Sequence, residues 1–174
     1  MQYIQYYNSP MGKITLLADE LGFTGLLFEN EEWTLESENT ESSCPAIDEA
    51  KTWLNIYFAG NRPDFTPAIH MKGSSFQEEV WKLLLKIPYG EVTTYGDLAK
   101  QIAANRGISR MSAQAVGGAV GSNPISIIVP CHRVVGTGGN LTGYASGLDN
   151  KITLLKLEKH DMEKFYIPTK GTAL

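Results

Sequence analysis

The stretch Ala113-Gln114-Ala115-Val116-Gly117-Gly118-Ala119-Val120 consists almost entirely of small and apolar residues, and we predict that it forms a short helix. Just upstream, Thr94 is placed to cap another short helix that runs through Ile102, and a loop over residues 104–109 separates the two. Two short helices joined by a glycine-containing turn resemble a helix-turn-helix, whose second helix enters a DNA groove. A plain helical hairpin remains the structural alternative.

Charge is distributed unevenly around this helix pair. The net charge of −4 divides into −8 for residues 1–70 and +4 for residues 71–174, and no carboxylate lies between Asp97 and Asp149. Four cations fall in that interval: Lys100, Arg106, Arg110 and Arg133. A stretch of this kind favours contact with a polyanion such as nucleic acid, although the same cations could decorate a solvated surface.

The chain outside the helix pair predicts an α/β (α+β) fold of two domains, residues 1–72 and 73–174. Short β-prone runs at 3–7, 13–18 and 23–28 predict a three-stranded antiparallel meander, and apolar spacing over 46–59 predicts a helix on it. The acidic stretch 29–43 is predicted to be a loop, and 61–73 a linker. The second domain is mainly helical and opens with a capping-box pattern, Ser75-x-x-Glu78.

Composition excludes several classes. With 174 residues, 43% of them hydrophobic and 20% charged, the chain falls in the range of globular domains. It contains no apolar run of membrane-spanning length, and its N-terminus lacks the features of a signal peptide, so we expect a soluble cytoplasmic protein. Two cysteines and three histidines without metal-ligand spacing predict no structural metal, and we find no nucleotide- or calcium-binding motif, so no cofactor is expected.

The chemistry centres on Pro130-Cys131-His132-Arg133, which follows an apolar run at 125–129 that we predict to be a buried strand. A cysteine after such a strand is more often a small buried hydrophobe than a nucleophile. An adjacent histidine changes this expectation, because a neighbouring base or cation promotes formation of the reactive thiolate. Consecutive residues of an extended chain point to opposite faces, so His132 reaches Cys131 only if the backbone turns there or a water bridges them.

With these neighbours the sequence resembles the O6-alkylguanine-DNA alkyltransferases. The resemblance rests on the ordered motifs 88–96, 115–119, 123–125, 130–134, 143–144 and 154–158, and it covers residues 75–160. It implies a winged-helix-like DNA-binding unit that transfers an alkyl group irreversibly from O6-methylguanine in double-stranded DNA to its own cysteine, acting as a monomer. O4-methylthymine is left open as a further substrate. The zinc ligands found in some members have no counterpart among residues 1–70.

The resemblance also implies catalytic roles. Cys131 is the acceptor thiol, His132 is the base that deprotonates it through a water, and Glu158 orients the histidine. Tyr95 donates a hydrogen bond to N3 of the flipped guanine, and Asn123 ties the recognition helix to the active-site strand. Without the resemblance, Glu158 would be interpreted as a solvent-facing residue, because buried glutamates are rare.

Two binding surfaces follow from the resemblance and the carboxylate-free stretch. The substrate pocket is expected to involve Val129, Pro130, Tyr144, Ala145, Ser146 and Lys151, although an exposed helical lysine is an equally good interpretation of Lys151. The DNA surface is expected to involve Thr94, Lys100, Arg106, Arg110, Gln114, Ala115, Gly117, Gly118 and Arg133.

Two positions depart from the family pattern. Gln114 stands where an arginine usually fills the space left by the flipped base, and Arg110 lies about one helical turn earlier. Ala145 stands where some members have a serine that contacts the guanine oxygen. Two other functions stay open: a module that recognises alkylated guanine without transfer, which the presence of Cys131 disfavours, and a cysteine hydrolase using Cys131, His132 and Glu158, which would turn over repeatedly.

Overall fold

The computed structural model describes residues 1–31 and 39–168. It divides the chain into two compact units: Met1–Lys72 together with Pro124–Ile128, and Gly73–Asn123 together with Val129–Leu174. The first unit holds a sheet and one helix and the second is mainly helical, which confirms the predicted fold class.

The first unit is built on an antiparallel meander of β1 (Gln2–Ser9), β2 (Gly12–Ala18) and β3 (Phe23–Leu27), as the sequence predicts. The structure adds a two-residue strand, β4 (Asn39–Thr40), which pairs parallel with β1 inside the range predicted to be a loop. Helix α1 (Pro45–Phe58) contributes six buried residues at helical spacing: Ala46, Ile47, Ala50, Trp53, Leu54 and Tyr57. Residues 32–38 of the predicted acidic loop lie outside the described residues.

The second unit contains helices α2 (Ser75–Leu84), α3 (Tyr95–Arg106), α4 (Ala113–Gly121) and α5 (Leu148–Leu157). A short parallel pair of strands, β5 (Thr93–Thr94) and β6 (Val134–Val135), was not predicted. The capping box of α2 lies one residue earlier than predicted: it is formed by Ser74 and Gln77, because the Ser74 hydroxyl accepts the Gln77 N–H at 3.1 Å. The predicted cap of α3 is confirmed, since the Thr94 hydroxyl accepts the Asp97 N–H at 3.1 Å.

Helices α3 and α4 form the helix-turn-helix. Gly107 ends α3 in the left-handed conformation (φ 66°), which allows the chain to turn sharply. Residues 107–112 then connect to α4, whose first turn is capped by Ser112. The buried Trp81 indole N–H of α2 donates to the Ala119 carbonyl at 2.8 Å and so holds α4 from behind.

The prediction of a strand over 125–129 is wrong. Ile125 makes a single isolated bridge to Leu26, and the Leu26 N–H donates to the Pro124 carbonyl at 2.9 Å. The chain then turns within itself: Ile127 has φ 70°, and the Ile128 N–H donates to the Ser126 carbonyl at 2.8 Å. Because the backbone groups bond locally, the apolar run is buried as a compact turn, and its hydrophobicity alone did not distinguish turn from strand.

Within the described residues, the helices are too short or too polar to cross a membrane. The same residues contain no cluster of three or more His, Cys, Asp or Glu side chains able to hold a metal ion. Cys44 and Cys131 are both free thiols.

Candidate active site

The nucleophile motif forms a 3-10 helix over Cys131–Arg133, which follows directly on the turn described above. All three side chains are buried, with residue exposures of 6% for Cys131, 0% for His132 and 7% for Arg133. A 3-10 helix has three residues per turn, so neighbouring side chains fan around its axis instead of alternating between two faces. Cys131 and His132 are therefore not forced onto opposite faces, as they would be in a strand.

Glu158, at the C-terminal cap of α5, is the hub of the polar interior of this unit. One carboxylate oxygen pairs with His132 Nε2. The other accepts from Arg133 Nε at 2.8 Å and from the Gly90 N–H at 3.1 Å. Burial by itself would raise the pKa of Glu158, but the hydrogen bonds and charges of His132 and Arg133 outweigh it and hold that pKa well below the usual range. Glu158 is therefore an ionised carboxylate.

His132 is set up as a neutral imidazole. Burial lowers its pKa, Glu158 opposes that effect, and the positive charges of Arg133 and Lys151 reinforce it. Since an ionised carboxylate can only accept hydrogen bonds, the proton of the neutral ring lies on Nε2. Nδ1 is buried and has no hydrogen-bond partner among the described residues, which leaves its lone pair available as a base.

Cys131 rests as a thiol. Burial raises its pKa, while hydrogen bonds from Asn123 and Tyr144 and the positive charge of Lys151 act in the opposite direction. Asn123 Nδ2 also donates to the Val129 carbonyl at 2.8 Å, so the residue that follows α4 is fixed to the segment that carries the cysteine. A thiol of this kind becomes nucleophilic when a base removes its proton during the reaction.

Lys151 and Tyr95 complete the surroundings of the thiol. Lys151 is fully buried, not exposed, and its Nζ donates to the carbonyls of Val134 at 2.7 Å and Thr142 at 2.9 Å. Burial lowers the pKa of Lys151 to about 8, against the opposing effect of Cys131. The Tyr95 hydroxyl lies 3.4 Å from the Thr142 carbonyl, and burial raises its pKa.

The remaining predicted pocket residues divide by exposure. Val129, Pro130, Tyr144 and Ser146 are buried, whereas Ala145 is exposed. Over residues 143–146 exposed and buried positions alternate, with Tyr144 and Ser146 buried.

On the helix-turn-helix, Lys100 and Arg110 are exposed and both line a groove of about 890 Å³ between α3 and the start of α4. Gln114, Ala115 and Gly118 are exposed along α4 and Gly117 is half-buried, as is the capping residue Thr94. Arg110 lies in the connection before the helix, not one turn earlier on it, because α4 begins only at Ala113.

One predicted DNA contact needs correction, and a second is paired with a carboxylate while remaining exposed. Arg133 does not face a ligand surface: its Nη1 donates to the Ile87 carbonyl at 2.7 Å and its Nε is bonded to Glu158. Arg106 is exposed but paired with Glu79, with an Nη2–Oε2 distance of 2.6 Å. The lack of carboxylates between Asp97 and Asp149 did not reveal either pairing, because Glu79 and Glu158 lie outside that interval of the sequence.

The sequence did not predict the backbone groups that complete the site. These groups are the Ile87 carbonyl, just before the motif Pro88-Tyr89-Gly90, and the Gly90 N–H within it. The motif supported the resemblance, but the sequence assigned it no role in the site. The carbonyls that hold Lys151 carry no sequence signal, since every residue has one.

The second unit combines a helix-turn-helix with a buried site that contains a cysteine, a neutral histidine and an ionised glutamate. These two features together define a class of protein with a thiol nucleophile and a DNA-binding motif. Two family models match the chain: "6-O-methylguanine DNA methyltransferase, ribonuclease-like domain" over residues 2–70 and "6-O-methylguanine DNA methyltransferase, DNA binding domain" over residues 75–160. The chain belongs to this family, which confirms the resemblance.

Relatives match along nearly the whole chain. It is 42% identical over 159 residues to a methylated-DNA–protein-cysteine methyltransferase of Mycobacterium tuberculosis, covering 91% of this chain and 93% of the relative. It is 44% identical over 161 residues to one of Methanosarcina acetivorans, covering 90% and 97%. The crystal structure of Mycobacterium tuberculosis OGT in complex with DNA is 41% identical and superposes with a TM-score of 0.79, covering 94% of each chain.

Proposed function

We propose that this protein repairs DNA by transferring the alkyl group of O6-methylguanine directly, irreversibly and stoichiometrically to its own Cys131. It acts as a methylated-DNA–protein-cysteine methyltransferase, and each molecule carries out the transfer only once. The observation that carries the assignment of Cys131 is its buried position on the same 3-10 helix as the neutral base His132, which pairs with the ionised Glu158. Membership of the family and the likeness to a relative solved with DNA support the substrate.

The transfer step follows from the protonation states at rest. The Cys131 proton passes, through one water, to Nδ1 of His132, and Glu158 stabilises the imidazolium that forms. The thiolate attacks the alkyl carbon, the C–O6 bond breaks, and its electron pair leaves with the guanine. The product is a thioether, which offers no good leaving group, so the cysteine is not regenerated.

The leaving guanine gains negative charge, and two buried groups are suited to stabilise it. The Tyr95 hydroxyl is a donor whose raised pKa keeps it protonated, and we assign it to N3 of the guanine. Lys151 supplies a positive charge that Cys131 senses directly. Tyr144 and Ser146, with Val129 and Pro130, form the buried walls that we assign to the substrate pocket.

The lesion is stacked inside a duplex, so it must be flipped out to reach a buried thiol. We assign the duplex contact to the exposed side of α4 and to the groove that carries Lys100 and Arg110. Gln114 occupies the exposed second position of α4, where it can fill the emptied stack without the charge and planar guanidinium of arginine.

No cofactor is needed in this scheme, because the lesion supplies the alkyl group and the thiolate supplies the electron pair. We propose that the protein acts as a monomer in the cytoplasm, with residues 73–174 as the DNA-binding and alkyl-acceptor domain.

The test is to count lesions removed per protein molecule in the presence of excess duplex containing O6-methylguanine. We expect one lesion per molecule, and Cys131→Ser should bind duplex normally but remove none. Repeated turnover would identify a hydrolase instead, and binding without any removal would identify a recognition module.

A further inference from the structure

Arg133 is a buried cation that the transfer scheme above does not use. Its guanidinium is fixed at two points, by Nε on Glu158 at 2.8 Å and by Nη1 on the Ile87 carbonyl at 2.7 Å. The Tyr89 ring lies 5.8 Å from its central carbon. Because Arg133 is buried and bonded at two points, we look for its role in its effect on the neighbouring buried residues of the site.

The charged groups around His132 indicate what the role of Arg133 is. On its own 3-10 helix, His132 has the Cys131 thiol on one side and Arg133 on the other. From α5 it is faced by the Glu158 carboxylate and the Lys151 ammonium. Two further groups, Tyr89 and His160, sense the Glu158–Arg133 pair but are not among the charges that act on His132.

A histidine paired with a buried carboxylate alone tends to hold a proton, because the imidazolium–carboxylate pair is more stable than the neutral pair. A protonated His132 could not accept the proton of Cys131. Glu158, however, divides its carboxylate, with one oxygen on His132 and the other on Arg133 and the Gly90 N–H.

We propose that Arg133 is a positioning residue for alkyl transfer: by binding one oxygen of Glu158, it orients the carboxylate and neutralises it, so that His132 stays unprotonated at Nδ1. Arg133 bonds to Glu158 and to the Ile87 carbonyl, and it acts on the histidine through Glu158. This inference rests on the proposed function, since it concerns the base for that reaction.

The experiment measures the single-turnover rate of transfer to Cys131 as a function of pH, using O6-benzylguanine as a free-base substrate so that DNA binding does not enter. Arg133→Met removes the charge at similar length, and Arg133→Lys keeps the charge but loses the planar two-point contact. Arg62→Met removes an exposed positive charge in the first unit and serves as the matched control.

For Arg133→Met we expect the acidic limb of the profile to move to higher pH by at least about one unit, the size of shift that a close charge produces. The rate should fall at least tenfold on the acidic side and recover toward wild type at high pH. Arg133→Lys should move less and Arg62→Met not at all. A loss by the same factor at every pH would mean a purely structural role and would overturn the proposal, as would an unchanged profile.

A measurement on the wild-type protein covers the case in which Arg133→Met does not fold. Nitrogen-15 NMR of the imidazole should show a neutral ring protonated at Nε2, with a pKa below that of an ordinary histidine. An Nδ1–H tautomer or a raised pKa would overturn the proposal. Failure of wild type to alkylate Cys131 would instead refute the proposed function, so the two failures are distinguishable.

Discussion

Replacing Glu158 with glutamine tests the energetic side of the site, because it removes the negative charge that two neighbours share and preserves the shape of the side chain. Arg133 would lose its anionic partner, and because the amide keeps only one acceptor oxygen, either His132 or Arg133 would face an NH2 group instead, while Lys151 would still be buried nearby. Removing one partner of a buried ion pair leaves an uncompensated charge and typically costs about 3–5 kcal/mol.

That cost fixes the expected size of the effect. For chains of about 150–250 residues, 1 kcal/mol shifts Tm by roughly 2–4 °C, so Glu158→Gln should lower Tm by roughly 6–20 °C. Adding Arg133→Met should restore part of the loss, since it removes the orphaned charge. The two changes should therefore couple by more than about 1 kcal/mol.

The assay is urea and thermal denaturation of the two single variants, the double variant and a matched control, Glu79→Gln. Glu79 makes a similar pair with Arg106, but at the surface, where side-chain exposures are 28% and 41%, so its loss should cost at most about 1 kcal/mol. Equal costs for Glu158→Gln and Glu79→Gln, or strict additivity in the double variant, would contradict the buried hub that the structure describes.

Three further predictions concern DNA and pH. Lys100→Ala and Arg110→Ala should each reduce the slope of log affinity against log salt by about 0.9 if each contacts one phosphate, as filter binding to unmodified duplex can measure; unchanged slopes would place the groove away from DNA. Gln114→Arg should strengthen duplex binding and speed transfer from duplex but leave transfer from O6-benzylguanine unchanged; an unchanged ratio of the two rates would exclude this position as the wedge. Asp19 pairs with His70 at 2.7 Å, and its hydrogen bonds outweigh burial and lower its pKa to about 2 from 3.8. The stabilisation that Asp19 contributes should therefore be complete above about pH 4 and should be lost as pH falls through 2. Unfolding of Asp19→Asn and wild type at pH 6 and pH 2 measures this, and an equal difference at both would refute it.

The sequence predicted the parts of the fold whose signals are local. Helix α3 carries its cap in Thr94, and strands β1 to β3 carry their turns, so the start of the helix and the bounds of the strands agree within one or two residues. The end of α3 was placed too early, because the helix continues to Arg106, inside the predicted loop over 104–109. The prediction for 125–129 was wrong because a run of four apolar residues interrupted only by Ser126 signals burial without specifying a backbone conformation. Strand β4 was missed because two polar residues in an acidic stretch give no period to detect.

Within the site, the sequence identified which residues matter better than how they are connected. Glu158 lies 26 positions from His132, and no spacing rule joins them, so its place came from family resemblance alone. Arg133 was grouped with the DNA contacts because a list of cations does not distinguish an exposed guanidinium from one held by a carboxylate and a carbonyl. Burial and pairing are properties of the folded chain: they reassigned Arg133, and they excluded the exposed alternative for Lys151.

Intact-mass spectrometry and peptide mapping, after incubation with an excess of duplex that contains O6-methylguanine, determine whether Cys131 is the alkyl acceptor. We expect a gain of one methyl group per protein molecule, located on Cys131, with no further gain as more lesion is added. A protein of unchanged mass that nonetheless clears the lesion, or a methyl group located on Cys44, would contradict it.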